Sequence, residues 1–191
     1  HSKNININTL YVINKNKNFK LSYLNEAISK NLSTFLTNKF IKNSSLNQII
    51  VKDIERAVFK LIKILKPFPP KLSVAITGTN GKTSTTWYLS QICKKNKISA
   101  KLIGTLGYYY NLKKINDSTL TTPSNLDLYQ FAYSSKKSNY YFISEASSHG
   151  LHQQRFKNIN IDIAAITNIS HDHLDYHQNF RSYVNSKISL F

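Results

Sequence analysis

The pattern of hydrophobic and polar positions changes at a proline cluster, residues 67–70 (PFPP). Before the cluster, TLYVI (9–13) predicts a strand and LSYLNEAISKNL (21–32) predicts a short helix. A longer amphipathic helix follows, because apolar residues recur at helical spacing with lysines on the other face. Its apolar positions are Val51, Ile54, Val58, Leu61, Ile62 and Leu65. Proline cannot continue a helix, so we expect a small α/β domain over residues 1–68 and a second domain over residues 69–191.

After the prolines, four nearly continuous apolar segments are separated by stretches long enough for helices. They are LSVAIT (72–77), SAKLIGT (99–105), YYFISEAS (140–147) and IDIAAITNIS (161–170). Strands that are apolar on both faces are typical of a buried parallel sheet with crossover helices. The predicted fold class is therefore α/β, with a small N-terminal α/β domain and a mostly parallel sheet in the second domain. Ligands bind at the carboxyl ends of such strands, and polar residues follow each of these four.

Composition narrows the classes of partner. The chain has 191 residues, 41% of them hydrophobic, and a formal net charge of +17. Such a charge often indicates nucleic-acid binding, but the lysines are scattered, and Lys, Asn and Ile share A/T-rich codons. We therefore expect no nucleic-acid partner, whereas an anionic small-molecule substrate agrees with the charge.

The chain also lacks the marks of a secreted or membrane protein. It has no run of about 18 apolar residues that would predict a membrane helix. Its single cysteine, Cys93, fits a reducing compartment and is expected to be buried. We therefore expect a cytoplasmic protein with no membrane partner. The chain starts at His1 and contains no methionine, which indicates a segment of a longer protein.

The first strand after the prolines leads into TGTNGKTSTT (77–86). Gly78 and Gly81 allow a tight turn whose N–H groups point at a phosphate, and the next helix adds its positive N-terminal end. Lys82 and Thr83 stand where the motif G-x-x-x-x-G-K-[ST] has its phosphate-binding lysine and its Mg²⁺-binding hydroxyl, although isoleucine replaces the first glycine. The segment predicts an ATP site. The expected nucleotide-binding residues are Gly78, Thr79, Asn80, Gly81, Lys82, Thr83 and Ser84.

Two further strands end in candidate metal ligands. Glu145 lies near the end of the third apolar segment, where an unpaired buried carboxylate would be costly; it predicts a Mg²⁺ ligand, unless its side chain faces the surface. The fourth segment runs into HDHLDYH (171–177), whose three histidines raise zinc as an alternative. The hydrolase pattern H-x-H-x-D-H fails because Tyr176 separates Asp175 from His177, and no cysteine supports it. Magnesium is the favoured interpretation.

The last predicted helix, NFRSYVNSKISLF (179–191), carries a lysine within its apolar stripe. The stripe consists of Phe180, Tyr183, Val184, Ile188 and Phe191, and Lys187 lies in its middle. Desolvation there would lower the pKa of the Lys187 amine and make it reactive. The alternative is a side chain that extends from the edge of the stripe into solvent.

These segments, in this order, resemble the signature blocks of the Mur ligase family. The blocks are TGTNGKTSTT (77–86), TTPS (121–124), EASSHGLHQQR (145–155), TNISHDHLDYH (167–177) and SKISLF (186–191). SSHGL and DHLDYH are similar to the members that add the third residue of the peptidoglycan stem peptide. The first domain matches more weakly. The resemblance implies that the rest of the central domain and a third domain are missing from this chain.

The resemblance also implies roles for individual residues. Thr83, Glu145 and His173 would bind Mg²⁺, and Lys187 would be carbamylated by CO₂ and help to hold a second Mg²⁺. The catalytic residues would be Lys82, Glu145, His173 and Lys187. The UDP-muramoyl-dipeptide would be bound by Ser2, Thr121, Thr122, Ser147, Gln153 and Arg155, with Ser2 near the uridine.

The implied reaction is ATP-dependent amide-bond formation by a monomer that uses ATP and Mg²⁺. ATP would phosphorylate the D-Glu carboxylate of UDP-MurNAc-L-Ala-D-Glu, and an amine of meso-diaminopimelate or L-lysine would displace phosphate from the acyl phosphate. The alternatives are a sister ligase, including the folate-polyglutamate type, a zinc hydrolase and a non-catalytic nucleotide-binding module. The chain departs from the family at His171, where arginine is usual, and at His1 and Lys3, which replace the aspartate and arginine near the uridine site.

Overall fold

The computed structural model describes residues 10–13, 20–42, 44–65, 68–133 and 139–191. The chain divides into two compact units, His1–Leu61 and Ile62–Phe191. The boundary expected after residue 68 stays a prediction. Among the described residues, no helix combines the length and the apolar character needed to cross a membrane.

The first unit is built on a three-stranded parallel sheet in the order β1-β2-β3. Its elements are β1 (Tyr11–Ile13), α1 (Leu21–Ile28), β2 (Thr34–Thr37), β3 (Asn47–Ile50) and α2 (Ile54–Leu65), which continues into the second unit. The core residues are Ile13, Leu24, Ala27, Leu32, Phe35 and Ile41. Helix α1 ends four residues earlier than predicted, and Asn31 just beyond it has a left-handed φ of +62°, which no helix can continue.

The second unit contains a six-stranded sheet and five helices among its described residues. Its strands are β4 (Leu72–Thr77), β5 (Ala100–Gly104), β6 (Gly107–Tyr110), β7 (Lys113–Asn116), β8 (Tyr141–Glu145) and β9 (Ile163–Ile166). Its helices are α3 (Lys82–Lys95), α4 (Asn125–Ala132), α5 (Ser148–His152), α6 (Leu174–His177) and α7 (Phe180–Ile188). The four strands predicted from apolar segments are β4, β5, β8 and β9.

The sheet has the order β7-β6-β5-β8-β4-β9, in which β5, β8, β4 and β9 are parallel. The α/β fold class is thus confirmed. Strands β6 and β7 differ from the expectation, because they form an antiparallel hairpin on β5 where the sequence suggested only a helical crossover. The hairpin lies at the edge of the sheet, and all four residues of β7 are exposed, so it lacks the apolar pattern that marks a buried strand.

The centre of this unit is apolar on both faces of the sheet. Ala75, Ile103 and Ile143, one on each of three neighbouring strands, are completely buried. Cys93 of α3 packs in the same core, as expected. Because the parallel strands all end at one edge, the residues that follow β4, β5, β8 and β9 lie close together, and they form the site described next.

Candidate active site

The loop between β4 and α3 is shaped by two glycines. Gly78 has a φ of +141° and Gly81, the N-cap residue of α3, has a φ of +81°; both values favour glycine. A Cβ atom on Gly78 would lie 1.9 Å from Oγ1 of Thr167, whereas a Cβ on Gly81 would meet nothing closer than 3.7 Å. The loop therefore packs against the end of β9 too closely for a side chain at position 78.

The segment after β9 holds this loop by paired hydrogen bonds. The Thr79 N–H donates to the Asn168 carbonyl (2.9 Å), and the Asn80 N–H donates to Asn168 Oδ1 (3.0 Å). In return, the Asn168 side-chain amide and the Thr167 hydroxyl donate to the Asn80 carbonyl, at 3.1 and 2.6 Å. The N–H groups of Thr79 and Asn80 are thus used within the protein. Helix α3 begins directly after the same loop, and a helix leaves its first-turn N–H groups without intrahelical partners.

A buried tyrosine on α7 holds the loop from a second side. Tyr183 has no exposed surface, and its hydroxyl lies 2.7 Å from Thr79 Oγ1. The Ser170 N–H donates to the same Thr79 oxygen at 2.9 Å. Burial raises the pKa of Tyr183, so its hydroxyl keeps its proton. Sequence reasoning treated Tyr183 only as part of an apolar stripe and missed this contact.

Two lysines meet at one carbonyl oxygen of the loop. Lys82 Nζ donates to the Gly78 carbonyl (2.7 Å) and to the Thr79 carbonyl (2.8 Å), and Lys187 Nζ donates to the Gly78 carbonyl (2.8 Å). Lys187 is only 1% exposed, so the alternative in which it reaches solvent is wrong. Burial, and then the charge of Lys82, lowers the pKa of Lys187 to about 8. Burial also lowers the pKa of Lys82, with Glu145 and Asp172 opposing.

The rest of the predicted stripe on α7 is less buried than periodicity suggests. Ile188 and Phe191 are 53% and 68% exposed. Tyr183 and Lys187 are the members of the stripe that turn fully toward the loop. The lysine is therefore more deeply buried than the apolar residues beside it, because its ammonium group finds a carbonyl acceptor and the face of the Tyr183 ring, 4.6 Å away.

Glu145 lies at the end of β8 and is 1% exposed, so the surface-facing alternative is wrong. Its carboxylate accepts hydrogen bonds from the Thr83 hydroxyl (2.8 Å), the Thr105 N–H (2.8 Å) and the Thr105 hydroxyl (3.1 Å). A Cβ on Gly104 would lie 2.0 Å from Glu145 Oε1. Gly104 and Thr105 were not singled out from the sequence. Their position directly after an apolar strand, at the edge that carries the other polar residues, was the signal that could have identified them.

The residues predicted to bind the UDP-muramoyl-dipeptide fall into one hydrogen-bonded group, apart from Ser2, which lies outside the described residues. The Thr105 and Thr121 hydroxyl oxygens lie 3.1 Å apart, within hydrogen-bonding distance, and the Thr122 hydroxyl donates to the Glu145 carbonyl (2.7 Å). The Ser147 N–H donates to Thr122 Oγ1 (2.9 Å).

Gln153 and Arg155 complete this group. The Arg155 guanidinium donates to the Thr122 carbonyl through Nη1 and to Gln153 Oε1 through Nε (3.1 Å) and Nη2 (2.6 Å). A guanidinium has five N–H groups, and these three bonds leave two of them for a ligand. The arrangement orders an arginine fork beside the end of β8.

His173 lies on the other side of the site. It has a left-handed φ of +50° at the start of α6, and its ring contacts Asp172 and His149. In the part of the chain that the structure describes, no hydrogen bond joins His173 to Glu145 or Thr83, and no group of three or more His, Cys, Asp and Glu side chains is arranged to hold a metal ion. The zinc alternative thus gains no support, and Mg²⁺ binding by His173 stays a prediction.

The donor set fits nucleotide phosphates and a magnesium ion. The first turn of α3 and the Lys82 ammonium present N–H donors suited to phosphate. The Thr83 hydroxyl and the Glu145 carboxylate, 2.8 Å apart, are the oxygen ligands that Mg²⁺ prefers. A carboxylate that is almost fully buried needs such compensation, and here it comes from three protein donors and from the nearby charge of Lys82.

Comparison with known proteins agrees with this geometry. The Mur ligase middle domain family matches residues 76–191. A UDP-N-acetylmuramoyl-L-alanyl-D-glutamate--2,6-diaminopimelate ligase of Rickettsia bellii (strain RML369-C) is 35% identical over all of this chain and 40% of its own length. UDP-N-acetylmuramyl-tripeptide synthetase 2 of Oceanobacillus iheyensis is 36% identical over 75% of this chain and 30% of its own length.

Solved structures show the same fold. A UDP-N-acetylmuramoyl-L-alanyl-D-glutamate--2,6-diaminopimelate ligase superposes with a TM-score of 0.68 and 24% identity, over 99% of this chain and 39% of that one. MurF ligase from Thermotoga maritima in complex with ADP gives a TM-score of 0.70 and 20% identity, over 100% of this chain and 41% of that one. The chain spans about 40% of the length of these relatives. By its sequence and by its fold, the chain belongs to the Mur ligase family.

Proposed function

We propose that the chain is the nucleotide-binding part of an ATP-dependent ligase that adds a diamino acid to UDP-MurNAc-L-Ala-D-Glu. The observation that carries this proposal is the buried Glu145 carboxylate, bonded to the hydroxyl of Thr83 directly after the loop lysine. This hydrogen bond joins the phosphate loop after β4 to an acidic group at the end of β8, the neighbouring strand of the sheet. Relatives that are named as 2,6-diaminopimelate ligases support the choice of substrate.

Two sets of groups in the loop have different roles. The N–H groups of Thr79 and Asn80 are bonded to Asn168, so these two residues shape the loop. The N–H groups at Gly81–Ser84 and the Lys82 ammonium remain to bind the β- and γ-phosphates of ATP. Lys82 now donates to the carbonyls of Gly78 and Thr79 and would exchange these for phosphate oxygens, which bind an ammonium group more strongly because they are charged.

Thr83, Glu145 and His173 would hold Mg²⁺, and Lys187, once it is carbamylated, would help to hold a second Mg²⁺ ion. Magnesium supplies neutralisation of the negative charge on phosphate oxygens. The Thr105 N–H and hydroxyl orient the Glu145 carboxylate. Carbamylation needs a neutral amine, and the lowered pKa of Lys187 raises the neutral fraction near physiological pH.

The muramoyl-dipeptide would bind beside this site through Thr121, Thr122, Ser147, Gln153 and Arg155, with Ser2 toward the uridine. The free N–H groups of Arg155 suit a carboxylate of the dipeptide. The positive charges of Lys82 and Arg155 would hold two anionic substrates in line for the reaction. Positioning and electrostatic stabilisation usually contribute most to the catalysis of phosphoryl transfer.

A calorimetric titration with Mg²⁺ and a non-hydrolysable ATP analogue tests the nucleotide site. Lys82→Ala should weaken binding at least tenfold, about 1.4 kcal/mol, because a charge-assisted contact with phosphate is lost. Lys94→Ala, which removes an exposed lysine from the same helix, is the matched control and should leave binding unchanged. Equal affinities for the wild type and Lys82→Ala would contradict the nucleotide site.

Ligation assays on the longest polypeptide that the gene encodes distinguish the alternative functions. Formation of ADP, phosphate and a UDP-muramoyl-tripeptide supports the proposal, and assays with meso-diaminopimelate and L-lysine identify the amino acid. Ligation of glutamate to a folate would instead favour the folate-polyglutamate type. Nucleotide binding without any turnover would favour a non-catalytic module.

A further inference from the structure

Tyr176 joins the two sequence blocks SSHGL and DHLDYH. Its hydroxyl lies 3.0 Å from His152 Nδ1 and accepts a hydrogen bond from Gln153 Nε2 (3.0 Å). Its ring lies against the His149 ring, with the centroids 4.0 Å apart and a tilt of 35°. Tyr176 of α6 therefore contacts two residues of α5, His149 and His152, and the residue that follows this helix, Gln153.

These contacts fix the orientation of the Gln153 amide. Gln153 Oε1 accepts two hydrogen bonds from Arg155, and only an oxygen can accept them. The Nε2 group must then face the other way, where the Tyr176 hydroxyl accepts from it. The Tyr176 hydroxyl is also hydrogen-bonded to His152 Nδ1, and it donates in this bond when Nδ1 carries no proton. Donors and acceptors are thus paired throughout this series of hydrogen bonds.

The series of hydrogen bonds continues from Gln153 to the end of β8. Arg155 donates to the Thr122 carbonyl, and the Thr122 hydroxyl donates to the Glu145 carbonyl. The orientation of the arginine fork is thus determined at one end by Thr122 and at the other by Gln153. Arg155 and Gln153 are both among the groups proposed to bind the dipeptide, whereas Tyr176 itself has not been given any role.

We propose that Tyr176 is a positioning residue for the UDP-muramoyl-dipeptide: it holds the Gln153 amide, and through it the Arg155 guanidinium, in the orientation that meets the substrate. This inference rests on the proposed function. It also gives His149 and His152 a role that needs no metal, because the His149 ring packs against Tyr176 and His152 Nδ1 is hydrogen-bonded to its hydroxyl.

Calorimetric titration of this chain with UDP-MurNAc-L-Ala-D-Glu, beside a titration with the Mg²⁺–ATP analogue, tests the inference. Tyr176→Phe keeps the ring and removes the hydroxyl. It should raise the Kd for the UDP-dipeptide about tenfold, because the Gln153 amide loses the hydrogen bond that orients it, and leave the Kd for the nucleotide within twofold. Tyr88→Phe makes the same chemical change at an exposed tyrosine of α3 and should change neither value.

A double-mutant cycle shows whether Tyr176 acts through Gln153. In a Gln153→Ala background, Tyr176→Phe should cause no further loss of affinity for the UDP-dipeptide. The side-chain amide signal of Gln153 in a ¹H–¹⁵N spectrum, assigned by its disappearance in Gln153→Ala, should shift in Tyr176→Phe. This second readout does not depend on ligand binding.

The outcomes separate this inference from the proposed function. If the wild type binds the UDP-dipeptide and Tyr176→Phe binds it equally well, or loses both ligands equally, the positioning role is overturned. Additive losses in the cycle, or an unmoved Gln153 signal, overturn it as well. If the wild type binds the nucleotide but not the UDP-dipeptide, the proposed substrate is wrong, and the inference falls with it.

Discussion

The phosphate loop and the cluster of His149, His152, Gln153 and Tyr176 lie in the same unit but are built in opposite ways. The loop is held by backbone groups, by glycines with left-handed φ values and by fully buried side chains such as Tyr183 and Lys187. The cluster is held by contacts between side chains, and among its hydrogen bonds those of His152 and Gln153 are exposed. We therefore expect changes in the loop to affect stability and nucleotide binding together, and changes in the cluster to affect substrate affinity alone.

The largest effect should come from a methyl group added to the loop. Gly78→Ala places a Cβ 1.9 Å from Thr167 Oγ1 in a backbone conformation that alanine rarely adopts, so it should lower the free energy of unfolding by about 4 kcal/mol and abolish nucleotide binding. Gly81→Ala meets only backbone strain and should cost about 1 kcal/mol. Urea unfolding followed by fluorescence of Trp87, the single tryptophan of the chain, measures both. Equal costs for the two variants would show that close packing at position 78 has no effect.

This contrast explains how much of the site the sequence could predict. Gly78, Gly81, Lys82 and Thr83 were predictable because a tight phosphate-binding turn restricts both the residue types and their spacing. Glu145 was predictable because a carboxylate inside an apolar strand requires a partner. The parallel strands of the fold were predictable from apolar runs of strand length, because burial on both faces of a sheet leaves a local pattern in the sequence.

Other features depend on distances that no local pattern contains. Thr105, Asn168 and Tyr183 act through bonds to residues 40, 88 and 104 positions away, and threonine, asparagine and tyrosine are common enough to give no signal by themselves. The β6–β7 hairpin has its outer strand exposed and lysine-rich, so it lacked the apolar pattern of the other strands. The contact between His149 and Tyr176 required the packing of α6 on α5 to be known.

The second prediction concerns the pH dependence of the loop region. The pKa of Lys187 is lowered from 10.5 to about 8 in the folded protein, so the unfolded chain binds more protons between these values. Stability must then rise as the pH increases from about 8 to 10.5, by roughly 3 kcal/mol in total. The free energy of unfolding of the wild type, relative to Lys187→Met, measures this term in CO₂-free buffer. Parallel pH profiles for the two proteins would mean that the ammonium group is not desolvated.

The smallest effects give the sharpest comparison, because the same substitution can be made in both regions. Tyr183→Phe removes a buried hydroxyl from Thr79 Oγ1, which keeps its bond from the Ser170 N–H. It should cost about 1–2 kcal/mol of unfolding free energy and weaken the binding of the ATP analogue severalfold, because the loop loses a support on the α7 side. Its effect on the affinity for the UDP-dipeptide should be within twofold.

Tyr176→Phe should show the reverse pattern. Water can replace the hydroxyl at its exposed partners, so the free energy of unfolding should fall by no more than about 0.5 kcal/mol, while the affinity for the UDP-dipeptide falls. The same urea titrations and calorimetry measure both variants. If Tyr176→Phe destabilised the protein as much as Tyr183→Phe, the cluster would be part of the structural core of the unit, and the division between a loop that carries stability and a cluster that carries orientation would be wrong.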